Sequence, residues 1–270
     1  MMGIVYSKLD PAGSNMAERI VKENGFRPVD GHHYLKYEND RVRVYEIDVP
    51  AYAAEFADSF ICDSLMFLSR HKSEAEVDAL TTHSLGNWRP RADFGGKPKE
   101  LSFAAPALML AVLSGLSEID EAVEKTYEAT HHGPLLKTPS LFVEIGGSEN
   151  MVGNKSAATK LADAAFSSLT SALNGEAEFS RVVLGIGSNH YPEKFSGLAL
   201  SKGYAFSHIL PKYAIFNEDG SSNLDVLAQA MERSEPKPEL AVVDWKSLNS
   251  RMKEETIKKL NEIGLDDEKV

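Results

Sequence analysis

The sequence predicts an α/β fold, with a mixed, largely parallel sheet covered by helices on both faces. Two observations carry that reading. Runs such as Ser64-Leu65-Met66-Phe67-Leu68 and Arg181-Val182-Val183-Leu184-Gly185-Ile186 are apolar almost throughout, the mark of strands buried on both faces. These runs alternate with segments of helical periodicity, the order from which parallel strand–helix–strand units are built.

Taken in order, Gly3 to Ser7 reads as a strand, and Asp10-Pro11-Ala12-Gly13-Ser14 as a turn. A helix follows, with Ser14 or Asn15 as its N-cap and Gly25 as its stop. Tyr34 to Tyr37 and Val42 to Ile47 read as strands joined by the turn Glu38-Asn39-Asp40. Residues 84–100, rich in Gly, Pro and charge, read as a loop, and a helix is expected from Ser102 to Leu116. Lys125 to Thr130 and Leu141 to Gly146 are further strands. From Asn154 to Leu173, Ala157, Ala158, Leu161, Ala164, Ala165, Leu169 and Ala172 recur at three- and four-residue spacing, which predicts a helix. Tyr204 to Leu210 and Leu240 to Val243 complete the strands, and helices over 223–233 and 246–263 close the chain. The best linker signal, Ser234-Glu235-Pro236-Lys237-Pro238-Glu239, leaves too few residues beyond it for a second domain, so residues 1–270 are read as one.

Composition narrows the function. Apolar residues make up 43% of the chain and charged ones 26%, the balance of a globular protein. No apolar run is long enough to span a membrane, and the N-terminus lacks the pattern of a signal peptide. The single cysteine, Cys62, excludes an internal disulfide framework and fits a reducing, cytoplasmic setting. A formal charge of −11 argues against coating of DNA or RNA through a basic surface, though a local cationic patch can still grip a few phosphates.

Histidine is the informative residue. Of eight, four fall in three segments that look like strand ends: Thr81-Thr82-His83, Glu128-Ala129-Thr130-His131-His132-Gly133-Pro134, and Gly185-Ile186-Gly187-Ser188-Asn189-His190. Glu144 lies inside the apolar run Leu141 to Gly146, and a carboxylate there is costly unless paired, hydrogen-bonded or bound to a metal. Imidazoles and carboxylates together suit Zn²⁺, and His83, Glu128, His131, His132, Glu144 and His190 offer enough ligands for such a site. Strand alternation would send His131 and His132 to opposite faces, one serving the site and the other packing. The loop from Asn87 to Lys99 carries Arg89, Arg91, Lys97 and Lys99 against Asp93, with Trp88 and Phe94 interleaved. It is either a stacking and phosphate-pairing surface for a single-stranded RNA end or a loop with its aromatics tucked into the core. Ser69-Arg70-His71-Lys72-Ser73 after a buried strand is either an anion site or a solvated loop.

Together, Ser69-Arg70-His71, Leu80-Thr81-Thr82-His83 with Gly86-Asn87, Glu128-x-Thr130-His131-His132-Gly133-Pro134, Phe142-Val143-Glu144-Ile145-Gly146, and Gly185-Ile186-Gly187 with His190-Tyr191 resemble the archaeal and plant D-aminoacyl-tRNA deacylases. The resemblance runs from the first strand to about Leu210, with Ser188-Asn189 where a further glycine is expected. It implies a three-layer α/β/α sandwich like that of peptidyl-tRNA hydrolases and nucleoside phosphorylases. It also implies zinc dependence and hydrolysis of the ester between a D-amino acid and the terminal adenosine of tRNA. On that reading His83, Glu128, His132 and His190 hold zinc, and Glu144, His131 and Thr130 serve catalysis. Thr130 or an amide after Gly185 would steady the oxyanion, and Arg70, Trp88, Arg89 and Arg91 would meet the tRNA acceptor end. The protein would be a monomer or small homo-oligomer. A metal-independent acid–base pair of His83 and His190, a nucleoside phosphorylase or nucleosidase, and a non-catalytic tRNA-end binder are the alternatives.

Overall fold

A computed structural model describes residues 1–71 and 77–270. Lys72 and Ser73, part of the anion-loop reading, lie outside the described residues. The chain runs β1 (Met2–Ser7), α1 (Pro11–Glu23), β2 (Arg27–Pro28), β3 (Leu35–Glu38), β4 (Val42–Ile47), β5 (Ser64–His71), β6 (Ala79–His83), α2 (Pro106–Ser117), β7 (Glu124–Tyr127) and β8 (Ser140–Gly146). It continues with α3 (Glu149–Val152), α4 (Lys155–Leu173), β9 (Arg181–Ile186), α5 (Glu193–Lys202), β10 (Tyr204–Leu210), α6 (Leu227–Glu232), β11 (Leu240–Val243), α7 (Ser250–Ile263) and β12 (Asp267–Lys269).

The α/β reading holds, with the strands divided between two sheets. The larger has the order β2-β3-β4-β1-β5-β8-β6-β7 and the smaller β10-β9-β11-β12. Pairing is parallel at β4-β1-β5-β8, at β6-β7 and throughout the smaller sheet, and antiparallel at β2-β3, β3-β4 and β6-β8. One face of the larger sheet packs on α1, α2 and α4 through Ile4, Met66, Leu68, Leu141, Val143 and Ile145. The opposite face, with Val5, Phe67 and Phe142, is covered by Ala51, Ala54, Ala57 and Phe60 from the segment between β4 and β5. The smaller sheet shares the first core through Val182, Val183 and Phe206 and turns Leu184, Ile186 and Val243 toward a second core with α6 and α7.

Several boundaries differ from the sequence reading, three of them for an identifiable reason. α1 begins at Pro11, not after Ser14, because the Asp10 carboxylate accepts the Ala12 amide at 3.0 Å and Pro11 suits the first helical position. α2 begins at Pro106 because Ser102 and Ala104 are drawn into bonds with Leu85 and Arg233 carbonyls. β7 stops at Tyr127, since the Ala129 and Thr130 amides turn to the carbonyls of His190 and Ile209 and stitch the larger sheet to the smaller.

Candidate active site

Three strands and two turns deliver the site. On β5 and β8, alternation puts Met66, Leu68, Leu141, Val143 and Ile145 in the helical core, so Phe67, His71, Phe142 and Glu144 face the other way. β6 runs antiparallel to β8 with Thr81 opposite Glu144 and His83 opposite Phe142. Phe67 and Phe142 stack at 4.9 Å, and the His83 ring lies on Phe142 at 5.3 Å. This aromatic floor supports the buried Glu144. Glu128 follows β7, its amide bonded to the Thr82 carbonyl, and His190 stands in the turn after β9.

Two carboxylates and five imidazoles converge there. His71 Nδ1 is 3.2 Å from an oxygen of each carboxylate, Glu128 and Glu144. His83 Nε2 is 3.5 Å from Glu144, while His190 Nε2 and His131 Nε2 are 2.9 Å and 3.6 Å from Glu128. Burial alone would raise both carboxyl pKa values, but the imidazoles outweigh it: Glu144 is held well below the usual range by His71 and His83, and Glu128 is lowered by His190 and His83. Burial opposes charge on His71, yet its hydrogen bond to Glu144 and the nearby Glu128 lift it to about 9; His83 is raised for the same reasons. Burial and the neighbouring imidazoles push His131 well down and His132 to about 4.

Both His131 and His132 belong to the cluster, which corrects the alternation argument. Its premise fails because β7 has ended, and His132 adopts a left-handed φ of 43° that turns the chain. The His131 ring lies 4.2 Å from that of His83, and the His132 ring 4.9 Å from it.

The donor set fits a metal ion. His83, His131 and His132 point Nδ1 at the carbonyls of Ser84, Ala129 and Gly133. A carbonyl only accepts, so each Nδ1 carries a proton, and in the neutral ring Nε2 then presents a lone pair, the arrangement of histidine ligands. Nε2 of His71 and His83 and both oxygens of Glu128 are buried without a hydrogen-bond partner. The contact of Glu128 with His190 is close but not aligned as a hydrogen bond. His71, Glu128, His131 and His190 bring one ligand atom each within 4.8 Å of one another, as do His83, Glu128 and Glu144, and His83, His131 and His132.

Two chambers open onto the cluster. The first, about 480 Å³, is walled by Leu9, Pro50, Ala51, Tyr52 and Phe142 and reaches His71, Glu144 and His190, with Arg70 at its edge. The second, about 290 Å³, is bounded by Arg89, Arg91, Asp93, Pro211 and Tyr213. His131, His132 and Phe94 line both.

Other expectations meet the structure as follows. Trp88 is buried, 3% exposed, and its indole N–H donates to the Ile209 carbonyl, so it is anchored in the core while lining the second chamber beside Arg89. Thr130 is equally buried and lines the second chamber; its hydroxyl accepts the Ile209 amide at 3.0 Å and faces His208, which fixes the turn that carries His131. The Gly187 and Ser188 amides are taken by the Leu210 carbonyl and Ser247 Oγ, which removes them as oxyanion or phosphate donors. Arg70 and Arg91 are exposed, and Arg89 donates to the Tyr213 carbonyl and lies over its ring. His71 joins the site although the sequence left it in a loop, because β5 runs three residues past the apolar run and keeps alternating.

The family described as D-aminoacyl-tRNA deacylase matches residues 59–267. The D-aminoacyl-tRNA deacylase of Pyrococcus furiosus is 33% identical over 279 aligned positions, 98% of each chain, and that of Methanococcus maripaludis is 32% identical over 90% of this chain and 89% of its own. A crystal structure described as a conserved protein of unknown function is similar with a TM-score of 0.87 at 29% identity, over 100% of this chain and 95% of that one. With 77% of its residues inside the family match by position (209 of 270) and relatives above 30% identity along nearly its whole length, the chain belongs to the D-aminoacyl-tRNA deacylase family.

Proposed function

We propose that the chain hydrolyses the ester between a D-amino acid and the terminal adenosine of tRNA, as a single cytoplasmic deacylase domain with zinc held in the cluster by ligands among His83, Glu128, His132 and His190, which its donor groups unite in pairs and not as one set. The buried meeting of two carboxylates and five imidazoles at the wall of a chamber carries this reading, because such groups bear a large desolvation cost that a purely structural role does not require. Bound zinc would supply Lewis-acid polarisation and a supply of nucleophile at neutral pH.

The rest is done by the chain. Glu144, ionised and lining the first chamber, accepts the proton of the attacking water and returns it to the ribose oxygen. His71 holds the Glu144 carboxylate in place through Nδ1. His131, fixed through Nδ1 and shared by both chambers, stands where the ester passes, and its Nε2 lone pair accepts a hydrogen bond from the attacking water and so orients it. Arg70, Arg89 and Arg91 provide phosphate contacts at the mouth. No described helix is long and apolar enough to cross a membrane.

The test is release of D-tyrosine and L-tyrosine from their tRNA esters, before and after chelation with zinc add-back. D-selective release that chelation abolishes and zinc restores supports the whole reading. Selective release that survives chelation keeps the reaction and removes the metal; no release from either ester overturns both.

A further inference from the structure

We propose that the two chambers divide the substrate at its ester bond, with the aminoacyl group in the chamber of His71 and Glu144 and the terminal nucleoside in the chamber of Arg89 and Tyr213, its base stacked on Phe94. This rests on the deacylase reading and assigns its subsites.

Three of the eight large apolar side chains exposed among the described residues gather there. Leu9, Phe94 and Tyr213 are 54%, 62% and 43% exposed, and all three line the chambers. An aromatic ring left in solvent is unremarkable on a loose loop, but this loop is clamped. The Phe94 carbonyl accepts the Gly133 amide at 2.9 Å, Asn87 Nδ2 donates to the Gly95 carbonyl at 3.0 Å, and the Gly96 amide donates to Glu55 at 2.8 Å. A Cβ on Gly95 would lie 1.7 Å from the Tyr52 carbonyl oxygen, so the backbone beside Phe94 has no room to shift. The ring meets Tyr52 edge-on at 5.7 Å and is otherwise presented outward. Trp88, the other aromatic of the loop, also lines the second chamber but is buried with its N–H committed, which leaves Phe94 as the loop's exposed ring.

Chemistry decides which chamber takes which half. The first has Leu9, Pro50, Ala51, Tyr52 and Phe142 in its wall beside Asp10 and Arg70, a single cation, and contains the carboxylate that receives the proton, which suits an amino-acid side chain beside its own carbonyl. The second combines Arg89 and Arg91, the latter paired with Asp93 at 2.8 Å, with Phe94 and Tyr213, the pairing of cations and flat rings that holds a single-stranded nucleic-acid end. On a chain of net charge −11 such a cationic edge is complementary to a polyanion. His131 and His132 line both chambers, so an ester strung between the two lies against the catalytic cluster.

The experiment compares wild type, Phe94→Ala and Phe94→Trp on D-tyrosyl-tRNA and on D-tyrosine ethyl ester, which has no nucleoside, with 5′-AMP as competitor. The ratio of kcat/KM on the tRNA ester to that on the ethyl ester should fall about tenfold in Phe94→Ala, chiefly through KM, and recover in Phe94→Trp, as expected for loss and return of one base stack. The inhibition constant of 5′-AMP should rise by a similar factor. An equal loss on both esters would place Phe94 on the aminoacyl side and overturn the assignment. So would inhibition by 5′-AMP at equal strength in wild type and Phe94→Ala. If wild type releases nothing from D-tyrosyl-tRNA, the deacylase reading itself falls, whereas full wild-type activity with an unaltered Phe94→Ala ratio removes only the subsite assignment.

Discussion

The imidazole of His71 lies against Gly146, its partner across the β5–β8 pair, so closely that a Cβ on Gly146 would come within 2.7 Å of the His71 Cβ. Both atoms are anchored to neighbouring strands, so neither can swing aside. The glycine two residues after Glu144 is therefore a seat for the histidine that grips Glu144. Gly146→Ala should displace His71 and lower kcat/KM by about 100-fold, the scale of loss for a shift of about 1 Å in a catalytic group. Overpacking should cost about 1–3 kcal/mol of stability. Steady-state deacylation and a thermal melt check both; unchanged kinetics would show that His71 placement is immaterial.

Glu144→Gln retains the shape of the side chain and removes its charge. His71 and His83 then lose the partner that raises their pKa values. The variant should fold, as read by circular dichroism, and kcat should fall by about 100- to 10,000-fold, the contribution of a positioned general base. Turnover within a few-fold of wild type would take Glu144 out of the proton path.

His208 gives a pH signature away from the cluster. It is fully buried on β10, and burial outweighs its main-chain hydrogen bonds to hold it neutral, with its pKa down at about 4. Unfolded histidine titrates near 6.5, so between these values the unfolded chain binds the proton and the native one does not. Its neutral form thus favours the fold above about pH 6.5, and that contribution is lost as pH falls toward 4. Between pH 7.5 and 4.5, wild type should lose about 2–3 kcal/mol more than His208→Gln in urea titrations. Equal losses would show that His208 is protonated in the native protein.

Trp88→Phe separates packing from substrate contact in the same loop. The change deletes the indole hydrogen bond to the Ile209 carbonyl and thins the core of Leu101, Leu210 and Ala214. Stability should drop by about 1–3 kcal/mol, while KM for D-tyrosyl-tRNA should stay within twofold. A large KM effect with unchanged stability would return Trp88 to the substrate surface.

Most of the framework was legible because each strand and helix writes its own period. Val42–Ile47, Arg181–Ile186, Tyr204–Leu210 and Leu240–Val243 stand where the apolar runs place them, and Asn154 caps the helix that its alanine spacing predicts. The misplaced boundaries depend on partners distant in sequence. Asp10 caps α1 while also binding the Arg70 amide, and β7 ends where Ala129 and Thr130 meet the smaller sheet. β12 was missed because Asp267-Glu268-Lys269 has no apolar signal and is a strand only by pairing with β11.

The sequence by itself determined the α/β class, the identity of the histidine and glutamate segments, and the resemblance that named the family, since all of these reside in local pattern and residue type. Tertiary structure alone decided that His71 completes the cluster, that His131 and His132 both enter it, that Trp88 is core and that Phe94 is surface. The physical reason is that burial and convergence are properties of pairs far apart in the chain. Whether a ring faces solvent or a carbonyl, and whether an imidazole meets Glu128 or Glu144, is settled only when β5, β6, β7 and β8 are laid side by side in register.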